Sequence, residues 1–326
     1  MKKRILSFLM AICLCTALLG AFTSCGDDGK YNVGILQLAP HPALDAATDG
    51  FKQALIDELG EENVSFDLQN AQGESSMCST LATSIVSKNP DLIMANATGA
   101  LQAVANATLT IPILGTSITD YASALNLENY NGTVGGNISG TSDLAPLDEQ
   151  AAMFDELLPS ATRIGILYCS AEPNSEYQAN AMKTILEGMD KTVEFYTFTE
   201  PSDIAAVTAY ACSESDALYI PTDNTAANHA AAIYSAMGNN KKPLIAGESG
   251  ICTGCGIATL SIDYYDLGYA TGLMAAKILK GEKNISEMPI EFAPAPTKKY
   301  NATICGELGI PAPAGYTVLP GTEVAE

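Results

Sequence analysis

The sequence predicts an α/β protein built from two doubly wound, parallel-sheet (Rossmann-like) lobes joined by a hinge. Three observations carry this reading. Short strand-like runs alternate with helix-length segments along the whole chain, the pattern of parallel α/β architecture. Four such runs in the first half are matched by four in the second, whose starts lie 125–133 residues later. Between the two sets lies "GTVGGNISGTSDLAP" (132–146), rich in Gly, Ser and Thr, which reads as a hinge crossover.

The first strand, 33–38, breaks at Pro40-His41-Pro42 and gives way at once to a helix. Its apolar residues Leu44, Ala47, Phe51, Leu55 and Leu59 recur at helical spacing, and Pro42 suits a first turn, where its missing N–H has no partner to lose. Strands then follow at 64–69, 92–95 and 111–115. The second lobe repeats the series at 163–168, 193–198, 217–220 and 244–247. A later helix, 263–282, carries Leu267, Ala270, Met274, Ile278 and Leu279 on one face and ends at Gly281. Because it follows the last strand of the second lobe, it is free to return and pack on the first. The expected division is therefore 31–141 with about 264–290 in one lobe, and 142–263 with about 291–320 in the other.

Composition agrees with a folded, two-core chain: 326 residues, 47% hydrophobic and 16% charged. The formal charge is −21, and basic residues pair only at Lys241-Lys242 and Lys298-Lys299 beyond the N-terminus. Nucleic acid and anionic membrane surfaces are poor partners for such a chain.

The first 24 residues read as a lipoprotein signal. Lys2, Lys3 and Arg4 precede an apolar stretch, and "FTSC" places small residues before Cys25, which would become the lipidated first residue of the mature chain. Phe22 stands where such signals more often carry Leu. Residues 25–30 are then the lipidated cysteine and its polar tether. An uncleaved anchor is the alternative, since about 17 apolar residues is the lower edge of a bilayer span. In either case the folded part lies outside the cytoplasm. Cleavage takes the charge to −24 and leaves six unlipidated cysteines: Cys78, Cys169, Cys212, Cys252, Cys255 and Cys305. Cys252 and Cys255 form a C-x-x-C, but with no second such pair and no nearby His they read as a loop disulfide or plain thiols, not as a zinc set. No metal and no cofactor is called for.

Polar residues crowd the carboxyl ends of the expected strands, where open parallel sheets bind ligands and helix N-termini offer free N–H groups. The first lobe supplies Gln37, Asn70, Asn96, Thr98, Thr116 and Ser117. The second supplies Asn174, Ser175, Thr222, Asp223, Asn224, Glu248 and Ser249. Each alone reads as a helix cap or turn residue. Their shared position at one edge points to a ligand cleft.

Seven stretches, "VGILQLAPHPALDAATDGFKQAL", "LQNAQGE", "GTSDLAP", "ILYCSAEPNSE", "LYIPTDNT", "PLIAGESG" and "SIDYYDLGYATGLMAAKILKGE", together resemble the bacterial substrate-binding lipoproteins of ABC transporters that include tryptophan-binding proteins. The resemblance runs in order from residue 31 to about 310. It implies a type I periplasmic-binding-protein fold with three crossovers, and a ligand clamped between the lobes for delivery to a permease and its ATPase. It favours an aromatic or large apolar amino acid. "CTGC" after "GESG" departs from the family pattern and leaves the local loop geometry open.

An amino-acid ligand fits the residues independently. Its carboxylate needs hydroxyl and N–H donors, which Thr98, Thr116 and Ser117 offer. Its ammonium needs a carboxylate, for which Asp143, Asp223 and Glu248 are candidates, because burying a zwitterion unpaired costs several kcal/mol. Gln37, Asn70, Asn174 and Asn224 complete the candidate set. His41 reads chiefly as a helix-entry residue at the cleft mouth, with ligand contact the lesser reading. Neither G-x-S-x-G nor G-x-x-x-x-G-K-[ST] occurs, so no enzyme is predicted. A monomeric importer receptor is the leading reading. A sensory receptor of the same fold, or a sugar or nucleoside importer component, is the alternative.

Overall fold

A computed structural model describes residues 29–293 and 295–323; the signal segment, Cys25 and residues 26–28 of its tether lie outside the described residues. The first lobe runs β1 (Tyr31–Gln37), α1 (Pro42–Leu59), β2 (Val64–Asn70), α2 (Ser75–Ser87), β3 (Leu92–Asn96), α3 (Thr98–Ala107), β4 (Ile113–Ile118), α4 (Tyr121–Leu125) and β5 (Ile138–Ser142). The second runs α5 (Leu147–Leu157), β6 (Arg163–Cys169), α6 (Pro173–Gly188), β7 (Thr192–Phe198), α7 (Ile204–Glu214), β8 (Ala217–Ile220), α8 (Asn224–Asn228), α9 (Ala230–Ala236), β9 (Leu244–Ala246), α10 (Ser249–Cys255) and β10 (Ala258–Ser261). After these come α11 (Tyr264–Leu279), β11 (Glu291–Phe292), β12 (Thr297–Tyr300), α12 (Ala302–Leu308) and β13 (Thr317–Val318).

Two sheets result, in the orders β11-β5-β4-β3-β1-β2 and β13-β12-β10-β9-β8-β6-β7. Every strand pair is parallel except β10 with β12. Helices cover both faces, so inner strands such as β3 and β4 are buried along their whole length and read as continuous apolar runs. One face of the first sheet packs Ile85, Leu101 and Val104, and the other packs Phe51, Leu55 and Met274. Phe154, Met182 and Leu186 cover one face of the second sheet, while Cys212, Ile233 and Cys252 cover the other.

Among the described residues, the chain passes between lobes at 143–146 and 262–263 and again between β11 and β12. Two expectations need correction. The Gly-rich stretch 132–146 is not a free hinge over its length, because its middle forms β5, paired with β4 in the first sheet. There Gly140 holds φ +144, and an added Cβ would collide with the Gly115 carbonyl, so this glycine serves close packing. Only the last residues of the stretch cross. The final return also comes later than 291: Glu291 and Phe292 still pair with Thr141 and Ser142 of β5, and the second sheet is rejoined at β12.

Helix α11 does return to the first lobe, against α1. Small residues allow the approach: a Cβ added to Gly268 would overlap the Ala47 carbonyl, and one added to Gly272 would press on Ala54 and the Phe51 carbonyl. Gly268→Ala is therefore expected to force the two helices apart and destabilise the fold by about 1–3 kcal/mol, read as a lower urea midpoint; an unchanged midpoint would contradict this packing.

The six described cysteines are free and buried. Cys252 and Cys255 lie on a helix, α10, and not in a loop, and Cys255 Sγ donates to the Ile251 carbonyl at 3.3 Å. Burial pushes both thiols well above their ordinary range, which makes them inert packing groups.

Candidate functional site

The carboxyl ends of the parallel strands face each other across the cleft and enclose a small cavity with about 10 Å³ of free space, room for about one water molecule, so the lobes must part to admit anything larger. His41, Ala43 and Leu44 line it from the start of α1, Ser117 and Thr119 from the end of β4, and Asp143 from the first crossover. Across the cleft stand Asn174 at the start of α6, Thr222, Asp223, Asn224 and Ala227 around the start of α8, and Glu248 before α10. Tyr264, at the second crossover, completes the wall.

Three carboxylates thus meet in one cavity whose lining contains no Lys or Arg. Their local partners differ. Asp223 caps α8 by accepting from Ala226 N at 2.7 Å and also accepts from Cys169 N at 2.7 Å. Glu248 caps α10 by accepting from Gly250 N and Ile251 N. Asp143 instead caps no helix and accepts from two side-chain hydroxyls, Thr119 Oγ1 at 3.1 Å and Tyr264 OH at 3.0 Å. Burial, opposed by those hydroxyls, pushes the Asp143 carboxyl up to about 6, and Glu248 adds to the rise. Burial also raises Asp223, with Glu172 close by as a second negative charge. The cavity therefore holds negative charge that nothing in its lining neutralises, and a cationic group entering it would be stabilised strongly.

Two polar atoms of the lining, Ser117 Oγ and His41 Nδ1, are buried without a partner. Ser117 also holds a left-handed backbone, φ +56, and Ala97 at the end of β3 holds φ +87. Strain of about 1–3 kcal/mol per such residue is typical of ligand-binding turns. The lobes touch through polar contacts: His41 Nε2 lies 3.2 Å from Asn224 Oδ1, and Gln178 Nε2 donates to Thr119 Oγ1 at 3.3 Å. The cleft is closed.

Of the residues expected from sequence, Ser117, Asp143, Asn174, Asp223, Asn224 and Glu248 line the cavity. Gln37, Asn70, Thr98 and Thr116 do not. The Gln37 amide donates to Ala39 O and Asp45 Oδ1 and accepts from Thr48 Oγ1. Asn70 Oδ1 accepts from Gln72 N in a local turn. Thr98 is buried in the first turn of α3, and Thr116 Oγ1 accepts from Thr141 Oγ1. Sequence reasoning missed Thr119 and Tyr264. The signal for both was position, since each lies one or two residues from a strand end or crossover.

Comparison with known proteins gives the same picture. Residues 32–323 match the family of ABC transporter substrate binding proteins. A tyrosine-binding protein of Clostridioides difficile (strain R20291) is 34% identical over 261 residues, 79% of this chain and 75% of the relative. A Streptococcus pneumoniae ABC domain solved in complex with L-Trp is 32% identical, with TM-score 0.85 over 89% of this chain and 99% of that one. A ligand-free, open substrate-binding protein with adhesive properties from Clostridium difficile is 34% identical but reaches only TM-score 0.69 over 88% and 98% of the two chains. Among the described residues, no helix is long and apolar enough to cross a membrane. The chain belongs to the family of ABC transporter substrate-binding proteins, with the type I two-lobed fold, and serves as the extracytoplasmic binding component of an importer.

Proposed function

We propose that this receptor captures one amino acid, aromatic or large and apolar, and hands it to its permease and ATPase, working as a monomer held to the membrane by lipid on Cys25 and doing no covalent chemistry on its ligand. The observation that carries the ligand class is the convergence of Asp143, Asp223 and Glu248 on a small cavity without a cation. An α-ammonium supplies the missing charge, and Asp143 is its main partner, because it caps no helix and its side-chain partners are two neutral hydroxyls. Ser117 Oγ and the strained turns beside it suit the ligand carboxylate. Ala43, Leu44, Ala227 and Tyr264 offer apolar surface for the side chain. Relatives that bind tyrosine and tryptophan support the same class.

A thermal-shift screen of the chain from residue 26 against amino acids, sugars and nucleosides tests this. L-tyrosine or L-tryptophan at about 100 times its Kd is expected to add about 2.7 kcal/mol of stability; a shift by sugars or nucleosides alone would overturn the ligand class. Binding should also depend on pH, with a definite sign. The free cavity holds a proton on Asp143 up to about pH 6, whereas an ammonium favours the ionised carboxylate, so binding expels that proton. Affinity is then expected to fall about tenfold from pH 7.5 to pH 5. Equal affinity at both pH values would remove Asp143 from the ammonium site.

A further inference from the structure

Glu172, just before α6, is a buried hub. Its Oε2 accepts from Asn224 N at 3.0 Å, Asn224 Nδ2 at 2.7 Å and Asn174 Nδ2 at 3.3 Å, and its Oε1 accepts from Thr225 N at 2.8 Å and Thr225 Oγ1 at 2.7 Å. A carboxylate taking five hydrogen bonds acts only as an acceptor. The Asn224 amide must therefore turn its nitrogen toward Glu172 and its oxygen toward His41. That oxygen lies 3.2 Å from His41 Nε2, so Nε2 must carry the proton. His41 then presents a bare lone pair at Nδ1, an atom that is buried, has no partner, and belongs to a side chain lining the ligand cavity at 6% exposure.

We propose that His41 is a ligand-binding residue and a closing contact at once: Glu172, acting through Asn224, fixes its Nε2–H tautomer across the cleft, and Nδ1 accepts a hydrogen bond from the captured ligand's ammonium. This rests on the amino-acid reading of the cavity. It also makes the contact conditional on closure, because only the closed cleft brings Asn224 of one lobe to His41 of the other and sets the tautomer that receives the ligand. An open receptor offers the ammonium the carboxylates of one lobe at a time; the closed one adds His41.

The chain contains only two histidines, which makes the imidazole nitrogens directly observable. His229 Nδ1 lies 2.9 Å from the Thr225 carbonyl and so must carry its proton there, the opposite tautomer; His229→Gln assigns the two spectra. With ¹⁵N-histidine label and saturating L-tyrosine, the expected result is an Nε2–H tautomer for His41 and a ligand-induced shift of its Nδ1 resonance. Two variants separate the roles. His41→Gln places polar atoms only near the Nε2 position and is expected to weaken tyrosine binding about 10- to 100-fold, the loss of a hydrogen bond to a charged group. His41→Asn keeps an acceptor near the Nδ1 position, gives up the contact with Asn224, and should lose only about 2- to 10-fold. An Nδ1 resonance unmoved by tyrosine that calorimetry shows to be bound, or equal affinity of both variants with the wild type, overturns the assignment. If the wild-type chain binds neither tyrosine nor tryptophan, the amino-acid reading fails on its own, and the ligand-free spectrum then judges the closing contact: an Nε2–H tautomer abolished by Asn224→Ala supports it, and a tautomer indifferent to that change overturns it.

Discussion

Asp143→Asn is expected to weaken amino-acid binding by about 3–5 kcal/mol, more than a hundredfold in Kd, because it removes one partner of a buried charge pair and leaves the ligand ammonium uncompensated. The fold should survive. The asparagine oxygen still accepts from one hydroxyl, and the Thr119 and Tyr264 hydroxyls can rotate toward it. Stability without ligand is expected to be unchanged or higher at neutral pH, with the sign set by linkage: the folded chain holds the Asp143 proton up to about 6 while the unfolded chain releases it near 3.8, so above that window the native state carries a charge it disfavours. Calorimetric titration and a melting curve on one preparation read both effects. Wild-type affinity, or lost affinity together with a collapsed melting temperature, would contradict the role given to Asp143.

The second large effect is expected at Glu172. Replacing it with alanine strips the acceptor from Asn224, Thr225 and Asn174 together. Stranding buried donors commonly costs about 1–3 kcal/mol each where water cannot replace the lost partner. Glu172 also borders the wider opening at the cleft edge, so water restores part of the loss, and a destabilisation of about 3 kcal/mol is expected. Ligand affinity should fall as well, because the Asn174 and Asn224 side chains lose the group that orients them. Glu172→Gln is expected to recover little, since its amide nitrogen faces donors where the carboxylate faced them as an acceptor. A melting temperature and affinity both within error of wild type would show that the hub is not structural.

β1, β3, β4, β6, β8 and β9 were visible in the sequence as apolar runs because each is sandwiched between helices, while the edge strands β2 and β7 were visible as partly exposed runs with apolar residues recurring along them; the spacing repeat between lobes follows from all eight. β5 escaped detection for a physical reason. Its Ser139 and Thr141 are buried, but their hydroxyls are satisfied by the Met288 carbonyl and by Thr271, so "ISGTS" looks like linker while behaving as core. The site was legible only as an edge. Sequence position places Gln37 and Thr116 at strand ends as well as it places Ser117, yet successive side chains on a strand point to opposite faces, and only one reaches the cavity. Tyr264 and Thr119 needed knowledge of which crossovers converge. His41 drew notice as an isolated histidine at a strand–helix break, but what makes it informative is Asn224, 183 residues away.

The central claim is that this cavity recognises an ammonium carried by an amino acid. Calorimetric titration of the wild-type chain with L-tyrosine and L-tryptophan, set against the same molecules lacking the α-amino group, tests it most directly. The account predicts binding of at least one amino acid and a loss of about 3–5 kcal/mol, more than a hundredfold in Kd, for its deaminated analogue, from an unpaired carboxylate left buried. Equal binding of the amino acid and its deaminated analogue would contradict it.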